Sequence, residues 1–293
     1  MKLRHGQAVV MMVLVTAMWS MAGVVTRHLE QARSFEVTFW RSFFTMLSLL
    51  VILPLWQGGG VWSRMPWRSP YFWLSGVCWS VMFTAFMLAL TLTAVANVLI
   101  TMAVGPLLTA LIARIFLGHR LPHRTWAAIV LAGIGIGWMY GSQLNLAAPN
   151  FLTGSLVALC VPLAGSVQWT LVQKSHAEGL DLDLVPSVLL GAVLSSMLTL
   201  PLAWPFQAST HDVGLLAMLG LFQLAIPCAL SVVCARVLKA PEVALLALLE
   251  IVFGIALAWW GANEAPQPSV LLGGALVLSA LLMNEFLAWK NNV

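Results

Sequence analysis

The sequence predicts an all-α integral membrane protein with ten transmembrane helices, arranged as two inverted five-helix repeats with both termini in the cytoplasm. Three observations predict it. Of 293 residues, 61% are hydrophobic and only 8% charged, and a mean hydropathy of +0.94 leaves too few polar side chains to cover a water-facing surface. The apolar runs are about twenty residues long, which lets a helix rising about 1.5 Å per residue cross about 30 Å of hydrocarbon. Barrel strands would be shorter and would alternate polar with apolar. Finally, Lys and Arg concentrate on alternate loops.

In chain order, polar, Gly and Pro clusters delimit spans at 7–26, 36–56, 71–92, 95–117, 124–140, 151–173, 184–204, 213–235, 241–261 and 269–289. Lys2, Arg4 and His5 precede the first span, as they would a cleavable signal. That span nevertheless stays apolar through Val25 with no clear small-residue cleavage site, so it reads as a retained helix. Linkers are short apart from Gln57–Pro70, which leaves no room for a soluble domain. Lys2, Arg4, Arg64, Arg68, Arg120, Arg124, Lys174, Arg236, Lys239 and Lys290 fall on one side and only Arg27 and Arg33 on the other, with Arg41 and Arg114 inside spans. By the positive-inside rule the first side is cytoplasmic. The net charge of +4 therefore marks one face of a bacterial-type inner membrane, and no nucleic-acid partner is expected.

Ten spans divide into five and five, and because five is odd the second half enters the membrane from the opposite side. Many secondary transporters share this inverted-repeat arrangement. The repeats are expected at 1–145 and 146–293. At an offset of 145 the run Val95–Gly118 lies on Ala240–Asn263 without a gap. Each run then leads into a Gly- and Ala-rich span, AAIVLAGIGIGW in one half and LLGGALVLSALL in the other.

Three stretches carry a resemblance. AMWS (Ala17–Ser20) has a Trp followed by a small residue, VGPLLTALIARIFLGHRL (Val104–Leu121) has a mid-helix Pro, and LEIVFGIALAWWGANEA (Leu249–Ala265) runs from one Glu to another. Together they resemble the drug/metabolite transporter superfamily in its ten-helix EamA-like branch, over nearly the whole chain. His119 replaces the Glu usual in the first repeat and Ile251 the Pro usual in the second, so the resemblance is to a divergent member. It implies a central cavity and alternating access, exporting small amphipathic metabolites such as amino acids or drug-like compounds.

Glu250 is the residue that most needs a reason. It lies about nine residues into the ninth span, near mid-membrane, where an ionised side chain costs roughly 2.5 kcal/mol or more. It reads as a proton carrier or a counter-charge for substrate, against the alternative of a carboxylate locked to a polar neighbour such as Gln168 or Gln223. Gly105 and Pro106 interrupt the fourth span, since proline lacks an amide proton and crowds the preceding turn. They read as a hinge, with Thr101, Met102 and Thr109 close by. Pro162 and Pro227 are further kink positions.

Gln168 and Gln223 place amides at depth, where they need a helix, water or ligand as partner. Trp19, Trp79 and Trp169 are deep enough to join Phe83 and Met102 in an aromatic-lined pocket. Trp56, Trp62, Trp67, Trp73, Trp126, Trp204, Trp260 and Trp289 read as interfacial belts. Arg41 and Arg114 read as snorkelling anchors, and Glu242 as the ion-pair partner of Arg236 and Lys239. Cys78, Cys160, Cys228 and Cys234 read as small core hydrophobes, and GIGIG (Gly133–Gly137) as close helix packing.

There is no Walker loop, HExxH, Cys-x-x-Cys or GxSxG motif, so neither a cofactor nor catalysis is expected. Two other classes stay open. A membrane-embedded enzyme would centre on His119 and His123 with Arg120 and Arg124, which lack an acidic partner. A non-transporting assembly subunit would need no polar cavity.

Overall fold

In the computed structural model, residues 3–32, 34–93, 95–118, 122–141, 150–180, 182–262 and 268–290 are described, and they form helices and connecting turns without a strand. In chain order the α-helices are α1 (His5–Trp19), α2 (Met21–Val25), α3 (Ser34–Gln57), α4 (Val61–Arg64), α5 (Pro70–Leu92), α6 (Val95–Met102), α7 (Gly105–Leu117) and α8 (His123–Tyr140). After them come α9 (Phe151–Ala177), α10 (Ser187–Ala203), α11 (Thr210–Met218), α12 (Ile226–Cys234), α13 (Ala240–Ala247), α14 (Leu249–Ala262) and α15 (Pro268–Lys290). A π-helical segment, Leu219–Ala225, joins α11 to α12.

Seven helical stretches among the described residues are long and apolar enough to cross a membrane: His5–Val25, Phe35–Gln57, Pro70–Ala89, Val98–Leu117, Phe151–Ala177, Thr210–Cys234 and Ala240–Leu257. Ser187–Ala203 and Pro268–Asn284 are shorter apolar helices.

The surface is apolar and much of the polar content is inside. Leu55, Ile115, Leu152, Met197 and Leu282 are exposed, whereas Thr16, Thr45, Ser75, Gln168, Ser195 and Asn284 are buried. In water such a surface would aggregate; against lipid it is matched, and the backbone polar groups are satisfied within the helices.

The bundle closes through a few packing pairs. Helix α5 packs on α9 and α10, α3 on α10 and the π segment, and α6 and α7 on α9; α1 packs on α12, α13 and α14, α2 on α14, α7 on α13, and α8 on α15. Several of these contacts depend on glycine. A Cβ built on Gly191 would lie 2.3 Å from Trp79 Cβ, and one on Gly273 would lie 2.3 Å from Gly135 O. The first glycine lets α10 press against the part of α5 that carries Trp79. The second accounts for part of the GIGIG expectation; Gly133 and Gly137 have nothing within 4 Å of a built Cβ.

Candidate functional site

Three irregularities interrupt the membrane-length helices. Between α6 and α7 the chain turns at Ala103 and Val104, where Val104 N donates to Thr101 O at 3.3 Å. Pro106 opens α7, where a missing amide proton costs nothing because first-turn amides have no intrahelical acceptor. Between α13 and α14 the turn is at Leu248, with Leu248 N bonded to Leu245 O and Ile251 N to Leu248 O, both at 3.1 Å. This break forms without the family proline, since Ile251 occupies that place. It puts Glu250 in the first turn of α14, at the positive end of a half-helix dipole. The third irregularity is the π segment before Pro227. Proline cannot bond the carbonyl four residues back, and Ile226 N reaches Leu221 O instead.

Arg41, buried on α3, and Glu250, in the first turn of α14, are charged side chains inside membrane-length helices. Arg41 is 2% exposed; its Nη2 donates to Phe83 O at 3.2 Å, and its Nε has no hydrogen-bond partner among the described residues. It lies within electrostatic reach of Glu250 and Cys228. Glu250 is half-buried, and none of the hydrogen bonds among the described residues ends on its carboxylate. Trp19 and Cys228 are both buried beside this pair. Gln223, in the π segment, donates from Nε2 to Trp19 O at 3.4 Å while its buried Oε1 accepts nothing.

From Arg41 the site continues into an aromatic wall. The Phe83 and Trp79 rings are 5.7 Å apart, and Trp79 meets Trp169 edge-on at 5.7 Å with an interplanar angle of 82°. Beyond the rings, Ser75 Oγ donates to Gln168 Oε1 at 2.7 Å and lies 2.6 Å from Ser187 Oγ. Gln168 Nε2 and Trp79 Nε1 are buried without acceptors. Buried donors with nothing to donate to are rare in folded proteins and call for a specific reason.

Several expectations change. Arg41 does not snorkel. Because α3 begins at Ser34, Arg41 is roughly 10 Å along the helix, on a buried polar stripe with Thr38, Ser42 and Thr45, so its guanidinium points into the protein. Met102 does not line the aromatic wall; it packs beside Ala89, Val98 and Ala158, and Thr101 precedes it at the end of α6. Gly105 and Pro106 sit at the α6–α7 break beside α9, where Thr109 Oγ1 donates to Gly105 O at 2.8 Å. Helix α9 continues through Pro162 to Ala177.

Glu242 pairs with His5 at 2.7 Å, while Arg236 pairs with Asp183. Trp19, Trp79 and Trp169 are 8%, 2% and 5% exposed, against 69% for Trp204 and 81% for Trp260, while Trp126 is half-buried against the core and the Trp289 side chain lies outside those described. His119, Arg120 and the end of the ninth-span motif at 263–265 lie outside the described residues. A surface depression of about 670 Å³ lies between Met65–Tyr71, which runs into the start of α5, and the pair Leu180 and Leu182, and contains none of the site residues.

A helical bundle with an apolar outer surface and an incompletely satisfied polar and aromatic centre has the form of a membrane transporter. Residues 6–141 match the EamA-like transporter family, which bears out the resemblance over the part of the chain that holds Ala17–Ser20 and Val104–Leu121. Two curated relatives are similar across most of the chain. The S-adenosylmethionine uptake transporter of Rickettsia prowazekii is 23% identical over 278 residues, 92% of this chain and 88% of its own. That of Rickettsia conorii is 23% identical over 266 residues, 88% of this chain and 85% of its own. A solved crystal structure at 18% identity superposes with a TM-score of 0.79 over 98% of this chain and 99% of that one, which establishes the fold. Family and relatives point to transport rather than catalysis. Both relatives are named for uptake, so the expectation of export gains no support from them.

Proposed function

We propose that this chain is a secondary active transporter that moves a small amphipathic metabolite across a bacterial inner membrane by alternating access around the Arg41–Glu250–Trp79 centre. The observation that carries this reading is the pair of helix breaks. Ala103 and Leu248, where α6 and α13 give way to α7 and α14, are 145 residues apart, the offset that aligns the two halves. Discontinuous helices at corresponding positions of two repeats mark transporter binding sites. In this reading α8, α10 and α15 supply three further crossings, giving ten in two inverted repeats, 1–145 and 146–293.

The packing supports the repeat. If the ten crossings are numbered in order, exchanging each with its counterpart five places away turns the contacts 3–7, 3–6 and 4–6 into 8–2, 8–1 and 9–1. It leaves 5–10, 2–7 and 4–9 unchanged, and all of these are principal packings. Gly105–Pro106 is the hinge of one half and Leu248–Leu249 of the other.

The substrate class we favour is amino acids and their derivatives. The substrate named for the relatives, S-adenosylmethionine, joins an aromatic heterocycle to an amino-acid end, which suits a wall of Trp79, Phe83 and Trp169 beside two charges. The relatives' names favour inward movement over the export implied by the wider superfamily. Glu250, facing Arg41 of α3 and Cys228 of α12, is the group for proton coupling if transport is coupled. The test is uptake of labelled S-adenosylmethionine and amino acids into vesicles, with and without a pH gradient. Saturable uptake that is lost in Glu250→Gln supports the reading. Uptake indifferent to the variant contradicts the role given to the centre.

A further inference from the structure

We propose that Arg41 and Glu250 form a two-charge clamp for an α-amino-acid head group, Arg41 taking the carboxylate and Glu250 the ammonium, with the apolar remainder of the ligand against Phe83 and Trp79. The proposal rests on the transporter reading and deepens it by assigning the ends of the substrate to named residues.

The first argument is hydrogen-bond accounting. A guanidinium offers five donors in a planar fork. Among the described residues, at Arg41 it is nearly inaccessible to solvent, bonds Phe83 O, and leaves Nε without a partner. A buried charge is tolerated when it is paired and hydrogen-bonded, and a carboxylate matches this fork in bidentate fashion. Glu250 is the complement. Its carboxylate carries none of the hydrogen bonds described, it remains partly accessible, and it sits just past a helix break where the backbone can move.

The second argument is selection by charge. Arg41 and Glu250 are within electrostatic reach of each other. A ligand bearing only a cation meets the Arg41 charge, one bearing only an anion meets Glu250, and a neutral one offers the Arg41 fork no bidentate acceptor. A zwitterion with opposite charges on neighbouring atoms satisfies both. Amino acids have this arrangement, with ammonium and carboxylate on a single carbon and its carboxyl group. The third argument is continuity. Arg41 bonds the backbone of Phe83, and the Phe83 ring leads to Trp79 and Trp169, so an apolar side chain leaving the head group meets rings on one side. Because α3 and α14 come from different halves of the chain, a ligand held between them draws the halves together.

The experiment uses the full-length protein purified in detergent, with thermal stabilisation as readout. The probes are L-phenylalanine, L-tryptophan, L-methionine and S-adenosylmethionine, each beside its analogue lacking the carboxylate and its analogue lacking the amine. At least one zwitterion should stabilise the wild type in a dose-dependent way while both of its analogues fail. Arg41→Lys, which keeps the charge but not the fork, and Glu250→Gln should each weaken that zwitterion about tenfold or more, the size expected for losing a charge-assisted bond.

The proposal is overturned if no zwitterion stabilises the wild type, if a singly charged analogue stabilises it equally, or if both variants bind as the wild type does. The analogue comparison needs no variant, so it stands even if a substitution prevents folding. Cysteine labelling that alternates between the two membrane faces would survive failure of the clamp, which separates this proposal from the transporter reading.

Discussion

An arginine one or two turns into a membrane helix can reach water along its own stem, and residue type alone favours that outcome for Arg41. The neighbours at helical spacing, Thr38, Ser42 and Thr45, are the legible signal that this face of α3 is interior, and weighing them as a stripe would have found the residue. Glu250, Gln168, Gln223 and the three deep tryptophans stand out in the sequence because polarity and aromatic rings at mid-span are costly or uncommon whichever way the helix is rotated. Met102 was misplaced because nearness in sequence to the Gly105–Pro106 interruption does not say which way a side chain turns.

Interhelical polar contacts at this scale are modest. Ser75→Ala leaves Gln168 Oε1 without its 2.7 Å donor and should lower stability by about 0.6 to 2 kcal/mol, measured as unfolding in detergent. No change would mean that water or a rearranged Gln168 replaces the hydroxyl.

At the scale of elements, the break at Pro106 was legible because proline announces it, whereas the break at Leu248 has no such residue and needed the structure. Pro106→Ala restores an amide proton at the start of α7 and favours a continuous helix. We expect slower maximal transport with little change in the substrate concentration giving half-maximal rate, as for a hinge rather than a contact. A larger change in that concentration than in rate would move Pro106 into the binding site.

A second pair of elements is joined by reciprocal carboxylates. Glu36, in the first turn of α3, accepts from Gln207 N at 3.0 Å and Ala208 N at 2.8 Å. Asp212, in the first turn of α11, accepts from Glu30 N at 2.8 Å, Gln31 N at 2.9 Å and Ala32 N at 3.0 Å. Each helix start thus holds the loop leading into the other, an arrangement that pattern reading missed because its donors are backbone amides. Asp212→Asn removes the charge and one acceptor. Amides 30–32 should then exchange with solvent about tenfold faster or more, while the helix cores keep their protection.

For the whole molecule, composition was enough to identify a membrane bundle, because burying polar and exposing apolar side chains leaves so strong an imprint on hydropathy. The pairing of helices was beyond it. Contacts such as Gly191 against Trp79 depend on which small residue meets which ring, and spacing along one helix carries no information about its partner. The Lys and Arg distribution makes its own prediction, that reporters fused to either terminus are active only when folding on the cytoplasmic side. A terminus reporting from the other face would remove the five-plus-five inversion.

The most direct test of the central claim is counterflow in proteoliposomes loaded with unlabelled S-adenosylmethionine, comparing wild type with Arg41→Lys and Glu250→Gln. A transient, saturable accumulation of external label by the wild type that is reduced at least about tenfold in both variants is the predicted result. Accumulation of the same size in all three proteins would contradict the claim that transport passes through the Arg41–Glu250 centre.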